Sequence, residues 1–135
     1  MKPYVLSSRE SQQFNQNIEN WKTIFKEDLK IKMREADIEY KKYKEDENNN
    51  MIHLQEACEK LYSAVENFLM AKYDKQERGY QAISYRVMNN EKDSSLLNDA
   101  VQLHYFFYNG EVSALRQIAE RRYNSVRDKL KARLR

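Results

Sequence analysis

The chain has 135 residues, of which 41% are apolar, so its length favours a single domain across residues 1–135 with a modest core. Ten Tyr, five Phe and one Trp argue against a disordered chain, and a net charge of +3 is too small to indicate nucleic-acid binding by itself. With only two Gly and one Pro to interrupt the backbone, we expect a nearly all-helical protein. Neither a signal peptide nor an apolar run of about twenty residues is evident, which predicts a soluble, cytoplasmic protein without a membrane span.

The first predicted helix begins near Ser8 and runs to the Asn-rich segment at 47–50. Its apolar residues recur at steps of three and four, which is the spacing of one helix face. They form two rows of different phase, Phe14, Ile18, Trp21, Phe25 and Leu29, then Met33, Ala36, Tyr40 and Tyr43. The change of phase predicts either a bend or a second half that faces a different neighbour. This long helix could also project and pair with another subunit.

The second predicted helix covers about 51–73 and has the clearest apolar pattern. Its main row consists of Leu54, Cys58, Leu61, Val65 and Phe68, so Cys58 is interpreted as a small buried side chain. Three alanines beside this row, Ala57, Ala64 and Ala71, would permit a close approach of another helix. Gly79 then marks a loop, and a short helix is expected within 80–88.

The fourth predicted helix runs from about Ser95 to Tyr108, with Asp93, Ser94 or Ser95 as its N-cap and Gly110 in its C-terminal cap. A last helix carries the apolar positions Val112, Leu115, Ala119, Tyr123, Val126, Leu130 and Leu134. Short connections between amphipathic helices favour antiparallel neighbours. The sequence therefore predicts an all-α fold, a four- to five-helix up-and-down antiparallel bundle with a long first helix.

Residues able to do chemistry are few. The chain has one cysteine, two histidines, no Gly-rich phosphate loop and no zinc-binding motif, so we expect neither a metal site nor a cofactor. His104 lies in an apolar row with Leu97, Val101 and Tyr108. One interpretation is a core histidine bonded to a backbone carbonyl or a tyrosine, and the other is a general acid or base, because imidazole titrates near neutral pH.

Basic residues are concentrated at the C-terminal end. Residues 111–135 hold eight Lys or Arg against three Asp or Glu. Cations in a last helix often complement its dipole on a solvated face. The alternative is a phosphate-binding surface, for which Arg121 and Arg122 are the leading contacts.

The order of two segments resembles the HEPN superfamily, in particular its small archaeal branch. These segments are "LQEACEKLYSAVENFLMAKY" and "LLNDAVQLHYFFYNGE", and with the final amphipathic helix the resemblance spans about residues 50–130. It implies a helical bundle that is commonly homodimeric. Many members are metal-independent ribonucleases, often toxins paired with nucleotidyltransferase antitoxins, and others are non-catalytic binding modules.

Ribonuclease members of that family have an Arg followed, after four to six residues, by a His. The resemblance places His104 on the family His, but Leu97, Asn98 and Asp99 stand where the Arg is expected. Asn98 could hydrogen-bond a phosphate without neutralising it. Candidate substitutes for the missing cation, or contacts to nucleotide or RNA, are Arg86, Arg116, Arg121 and Arg122.

The favoured hypothesis is therefore a non-catalytic HEPN-like module that forms a homodimer and binds a partner protein, a nucleotide or RNA. A nucleotidyltransferase is the kind of partner protein that the resemblance implies. One alternative is a toxin-like ribonuclease that uses His104. The other is a structural or adaptor protein that associates through the first helix.

Overall fold

The structure is a computed structural model, and the part of the chain that it describes contains five helices. It describes the backbone of residues 8–48, 50–73, 79–109 and 116–134, and the side chains of the same ranges apart from 8–22 and 107–109. The helices are α1 (Ser8–Glu45), α2 (Met51–Tyr73), α3 (Tyr80–Val87), α4 (Glu91–Asn109) and α5 (Arg116–Arg133). No strand occurs within these ranges, so the all-α prediction is confirmed.

The long helices lie antiparallel to their neighbours. In the contacts between α1 and α2, residue numbers fall along α1 as they rise along α2. The pairs are Glu39–His53, Glu35–Lys60 and Asp28–Asn67. The same holds for α2 with α4, through Glu59–His104 and Tyr73–Asp93, and for α4 with α5, through Asp93–Arg133 and Asp99–Lys129. The chain therefore forms the expected up-and-down bundle, with the short α3 beside α2 and α4.

Helix α2 is the centre of the bundle and packs against each of the other helices. Ala57, Ala64 and Ala71 are all buried, as expected for small side chains where another helix packs against α2. Cys58 is fully buried, as the apolar row predicted. Burial on several sides explains why α2 shows the most continuous apolar pattern of the chain.

The change of phase along α1 marks a change of neighbour. Leu29 packs into the core with α2, whereas Tyr40 stacks on Tyr123 of α5 with ring centroids 4.4 Å apart. Next to it, Asp37 accepts two hydrogen bonds from the Arg127 guanidinium, at 2.6 and 3.1 Å. The second half of α1 therefore faces α5 as well as α2, the second of the two predicted explanations.

Side-chain caps and one glycine set the helix boundaries. Asn50 Oδ1 accepts a hydrogen bond from the Ile52 backbone N–H at 3.0 Å, which caps α2. Gly79 immediately precedes α3 with a φ of 108°, a left-handed conformation that glycine adopts without strain. The predicted C-cap Gly110 and the apolar positions Val112 and Leu115 lie outside the described residues.

The predicted start of α4 is wrong by about four residues. The helix begins at Glu91, and its cap is Asn90, whose Oδ1 accepts the Asp93 backbone N–H at 3.0 Å. Asp93 itself is fully buried inside the first turn, and Ser94 and Ser95 are also helical. The polar side chain of Asp93 suggested a cap. Its buried ion pair is with residues distant in the sequence, so it cannot be recognised from the local sequence. Leu134, counted in the apolar row of the last helix, follows α5 and is exposed.

Candidate functional site

His104 of α4 points toward α2 and is fixed there by two contacts. Its Nδ1 lies 2.8 Å from Oε2 of Glu59, and its ring lies 4.6 Å from the Tyr62 ring, centroid to centroid. Because a carboxylate only accepts hydrogen bonds, Nδ1 is the donor in this pair. The side chain is partly buried, with 29% of its surface exposed. The contact at Nδ1 is with a carboxylate, whereas the core-histidine interpretation expected a backbone carbonyl or a tyrosine.

The surroundings of His104 are rich in carboxylates. Burial raises the pKa of Glu59, and the negative charges of Glu66 and Glu56 raise it further. The hydrogen bond with His104 acts in the opposite direction. Burial and the charges of Glu66 and Glu59 likewise raise the pKa of Tyr62. Negative charge concentrated here disfavours a phosphodiester beside the imidazole.

Asn98, the other predicted catalytic residue, is not brought to His104. Asn98 precedes His104 by six positions, about 9 Å along the axis of α4, and the two side chains project from different sides of the helix. Asn98 is exposed, and its Oδ1 accepts a hydrogen bond from the Tyr80 hydroxyl at 3.1 Å. Its observed contact ties α4 to α3, which gives the side chain a structural partner.

The chain's other histidine, which no sequence motif singles out, forms a similar pair. His53 Nδ1 lies 2.8 Å from Oε2 of Glu39, the same distance as in the His104–Glu59 pair. Each pair joins two antiparallel helices. The repetition indicates that a histidine–glutamate hydrogen bond serves as a tie between helices in this bundle.

The predicted basic residues divide into engaged and exposed groups. Arg116 is engaged, since its Nε donates to Met51 Sδ at 3.1 Å and its guanidinium lies 6.0 Å from the Tyr43 ring centroid. Arg86 is exposed on α3. Arg121 and Arg122 are exposed on α5 and border a shallow pocket of about 350 Å³ between α4 and α5, here named the α4–α5 pocket. Its lining consists of Asp99, Ile118, Arg121, Arg122, Ser125 and Val126.

Asp99 partly neutralises the α4–α5 pocket. Its carboxylate lies 3.6 Å from an Arg122 Nη1 and accepts a hydrogen bond from Lys129 Nζ at 2.5 Å. Arg121 donates to the Gln117 carbonyl of its own helix at 3.4 Å, and the described lining of the pocket holds two arginines against one carboxylate, a net positive charge. This is the strongest anion-binding geometry among the residues that the sequence singled out.

A buried ion cluster surrounds Asp93, and no local pattern in the sequence indicates it. Its carboxylate lies 2.7 Å from Lys72 Nζ, accepts the Tyr73 hydroxyl at 2.5 Å and pairs with Arg133. Burial alone would raise the pKa of Asp93, but the hydrogen bonds from these three groups hold it below its ordinary value. The cluster joins the end of α2, the start of α4 and the end of α5.

Comparison of the chain with family models, with curated proteins and with solved structures finds no match. In the described ranges no helix combines the length and the apolar character needed to cross a bilayer. Nor do three or more His, Cys, Asp or Glu side chains converge there in a way that could hold a metal ion.

Proposed function

We propose that the chain is a non-catalytic, HEPN-like helical module of the cytoplasm that forms a homodimer and binds a phosphate-bearing ligand, a nucleotide or RNA, at the α4–α5 pocket. A nucleotidyltransferase-type protein is the partner that the resemblance suggests. The single observation that carries the ligand class is the exposed pair Arg121 and Arg122 at the border of the α4–α5 pocket. A guanidinium group forms bidentate hydrogen bonds with phosphate oxygens, so two exposed arginines favour a phosphate-bearing ligand.

The resemblance to HEPN proteins is supported by where its two segments lie. They form most of α2 and α4, which pack antiparallel in the centre of an up-and-down bundle, and His104 projects between them. This arrangement agrees with the fold that the resemblance implies, while family membership itself stays a hypothesis.

The absence of catalysis is proposed from the electrostatics around His104. A ribonuclease of the family type needs a cation beside the imidazole to stabilise phosphate charge. Here Glu59, Glu56 and Glu66 place negative charge at the site, and the described contacts of Arg116 are with Met51 and Tyr43. We therefore expect ligand binding to be independent of His104.

A homodimer is supported by apolar side chains on the outside of α1. Ile24, Ile31 and Ile38 are exposed by 60%, 43% and 54% and follow each other at intervals of seven residues. A seven-residue interval keeps side chains on nearly the same line of a helix, which suits packing against a second helix. The same stripe also favours the alternative of a structural or adaptor protein.

Fluorescence anisotropy with a labelled single-stranded RNA tests the proposed ligand site. We expect Arg121→Ala with Arg122→Ala to weaken binding about tenfold and to lower the salt dependence, because phosphate contacts are lost. Asp99→Asn should strengthen binding roughly threefold, since it removes the competing carboxylate. Lys41→Ala with Lys42→Ala, which removes two exposed cations from α1, is the matched control.

An increase of affinity on removal of Asp99 cannot come from general damage to the fold. Equal losses in the α5 variant and in the α1 control would instead show non-specific attraction to basic residues, and the proposed site would be wrong. Unchanged binding in His104→Ala is also required.

A second candidate function is metal-independent RNA cleavage. It is favoured by the hydrogen bond from His104 to Glu59, because a carboxylate that orients an imidazole prepares it for proton transfer. The test is incubation of a labelled RNA with the protein in a chelator. Cleavage that disappears in His104→Ala would establish this function, whereas intact RNA with normal binding supports the non-catalytic module.

A further inference from the structure

A second groove lies on another side of the molecule, between the middle of α1 and the ends of α2 and α5. It has a volume of about 580 Å³ and is here named the three-helix groove. Its lining comes from residues 23–30 of α1, residues 68–72 of α2, and Arg133 and Leu134 at the end of α5. The α4–α5 pocket is separate, because Arg122 precedes Arg133 by eleven residues, about 16 Å along α5.

The floor of the three-helix groove is apolar. Leu29 and Ala71 are buried there, Phe68 is partly buried, and Leu134 closes one side. The volume lies within the range of small-molecule sites, and aliphatic and aromatic side chains predominate on the floor. A ligand with an apolar part would therefore gain from burial here.

The rim of the same groove is cationic. Lys26 and Lys30 stand one helical turn apart on α1, and Lys72 and Arg133 face them from α2 and α5. Glu27 is the one acidic residue among the described lining residues, and it lies 3.7 Å from Lys30. Lys72 and Arg133 share the single carboxylate of Asp93. Even after these pairings, cations exceed carboxylates among the described residues that line the groove.

We propose that the three-helix groove binds an aliphatic carboxylate, with the hydrocarbon chain on Leu29, Phe68 and Ala71 and the carboxylate among the lysines of α1. The charge of the rim selects an anion, and the apolar floor selects one with a hydrocarbon tail. Lys26 and Lys30 are exposed, and their long side chains can reach a headgroup in the groove. The Arg133 guanidinium instead lies over the Phe68 ring, 5.3 Å from its centroid. The site is independent of the proposed phosphate-bearing ligand.

Isothermal titration calorimetry with dodecanoate, below its micelle concentration, tests the proposal. We expect micromolar binding that weakens at least about tenfold for octanoate, since each buried methylene contributes about fourfold. Lys26→Glu with Lys30→Glu should weaken dodecanoate binding by about tenfold or more. Lys32→Glu with Lys41→Glu makes the same charge change on α1 outside the groove and should leave binding unchanged.

Circular dichroism must show equal helix content in both double variants, so that a lost fold is not mistaken for a lost site. Three results would overturn the proposal: no heat with dodecanoate up to about 1 mM, equal weakening in the two double variants, or dodecanol binding as tightly as dodecanoate. Displacement of dodecanoate by inorganic phosphate at equal concentration would also refute it, because a plain anion site does not use the apolar floor.

Discussion

At the scale of single residues, the two histidine–glutamate pairs show how environment decides the effect of one contact. Both have the same Nδ1 to Oε2 distance, yet the pKa of Glu39 is lowered, first by its hydrogen bond with His53, whereas burial raises the pKa of Glu59. Folding therefore favours the ionised form of Glu39 and disfavours the ionised form of Glu59.

This contrast predicts opposite results for two equivalent substitutions. At neutral pH, Glu39→Gln should lower the free energy of unfolding by about 1 kcal/mol, whereas Glu59→Gln should change it little or raise it slightly. The contribution of Glu39 is present above its ordinary pKa and is lost as the pH falls, so the Glu39→Gln deficit should shrink in acid. Urea unfolding of both variants at several pH values measures this. Equal deficits at neutral pH would contradict the assignment.

Asp93 predicts a larger effect. Asp93→Asn leaves Lys72 and Arg133 without their buried counter-charge, so we expect a loss of about 3 kcal/mol at neutral pH. Because the pKa of Asp93 is lowered on folding, its contribution is present above about pH 4 and disappears as the pH falls below that value. Chemical denaturation should show wild type and variant converging in acid. Asp128→Asn, at an exposed position of α5, is the control that should cost almost nothing.

At the scale of elements, helix ends depend on asparagine side chains. Asn90→Ala removes the hydrogen bond to the Asp93 backbone N–H and should lower the free energy of unfolding by about 1 kcal/mol. Asn89→Ala, one residue earlier in an exposed turn, makes the same chemical change without removing a cap. Thermal unfolding followed by circular dichroism compares them. A similar loss in both variants would mean that Asn90 does not act as the cap.

Periodicity was sufficient to predict most elements. The bounds 51–73 of α2 and the short helix before α4 were correct, because local apolar spacing and Asn or Gly residues determine them. The start of α4 was misplaced because Asp93 was interpreted as a cap. The cap is the neighbouring Asn90, and the Asp93 side chain instead pairs with Lys72 and Arg133, which are far away in the chain. Glu59, which contacts His104, is also distant in the sequence and could not be predicted as its partner.

At the scale of the whole molecule, the outer face of α1 governs the expected assembly. If the stripe of Ile24, Ile31 and Ile38 forms the contact between two copies, Ile31→Lys should shift the protein to a monomer, since a charge at the centre of an apolar contact remains unpaired. Sedimentation velocity at micromolar concentration measures the shift. Tyr85→Lys, at an exposed position of α3, is the control that should leave the assembly unchanged.

The single cysteine thiol of the chain is an intrinsic probe of opening of the fold. Cys58 has no exposed surface, and burial raises its pKa to about 12, so the reactive thiolate is almost absent in the native protein. A disulfide reagent should therefore label it only when α2 separates from its neighbours. The labelling rate would report how often the molecule opens under native conditions, without an engineered probe.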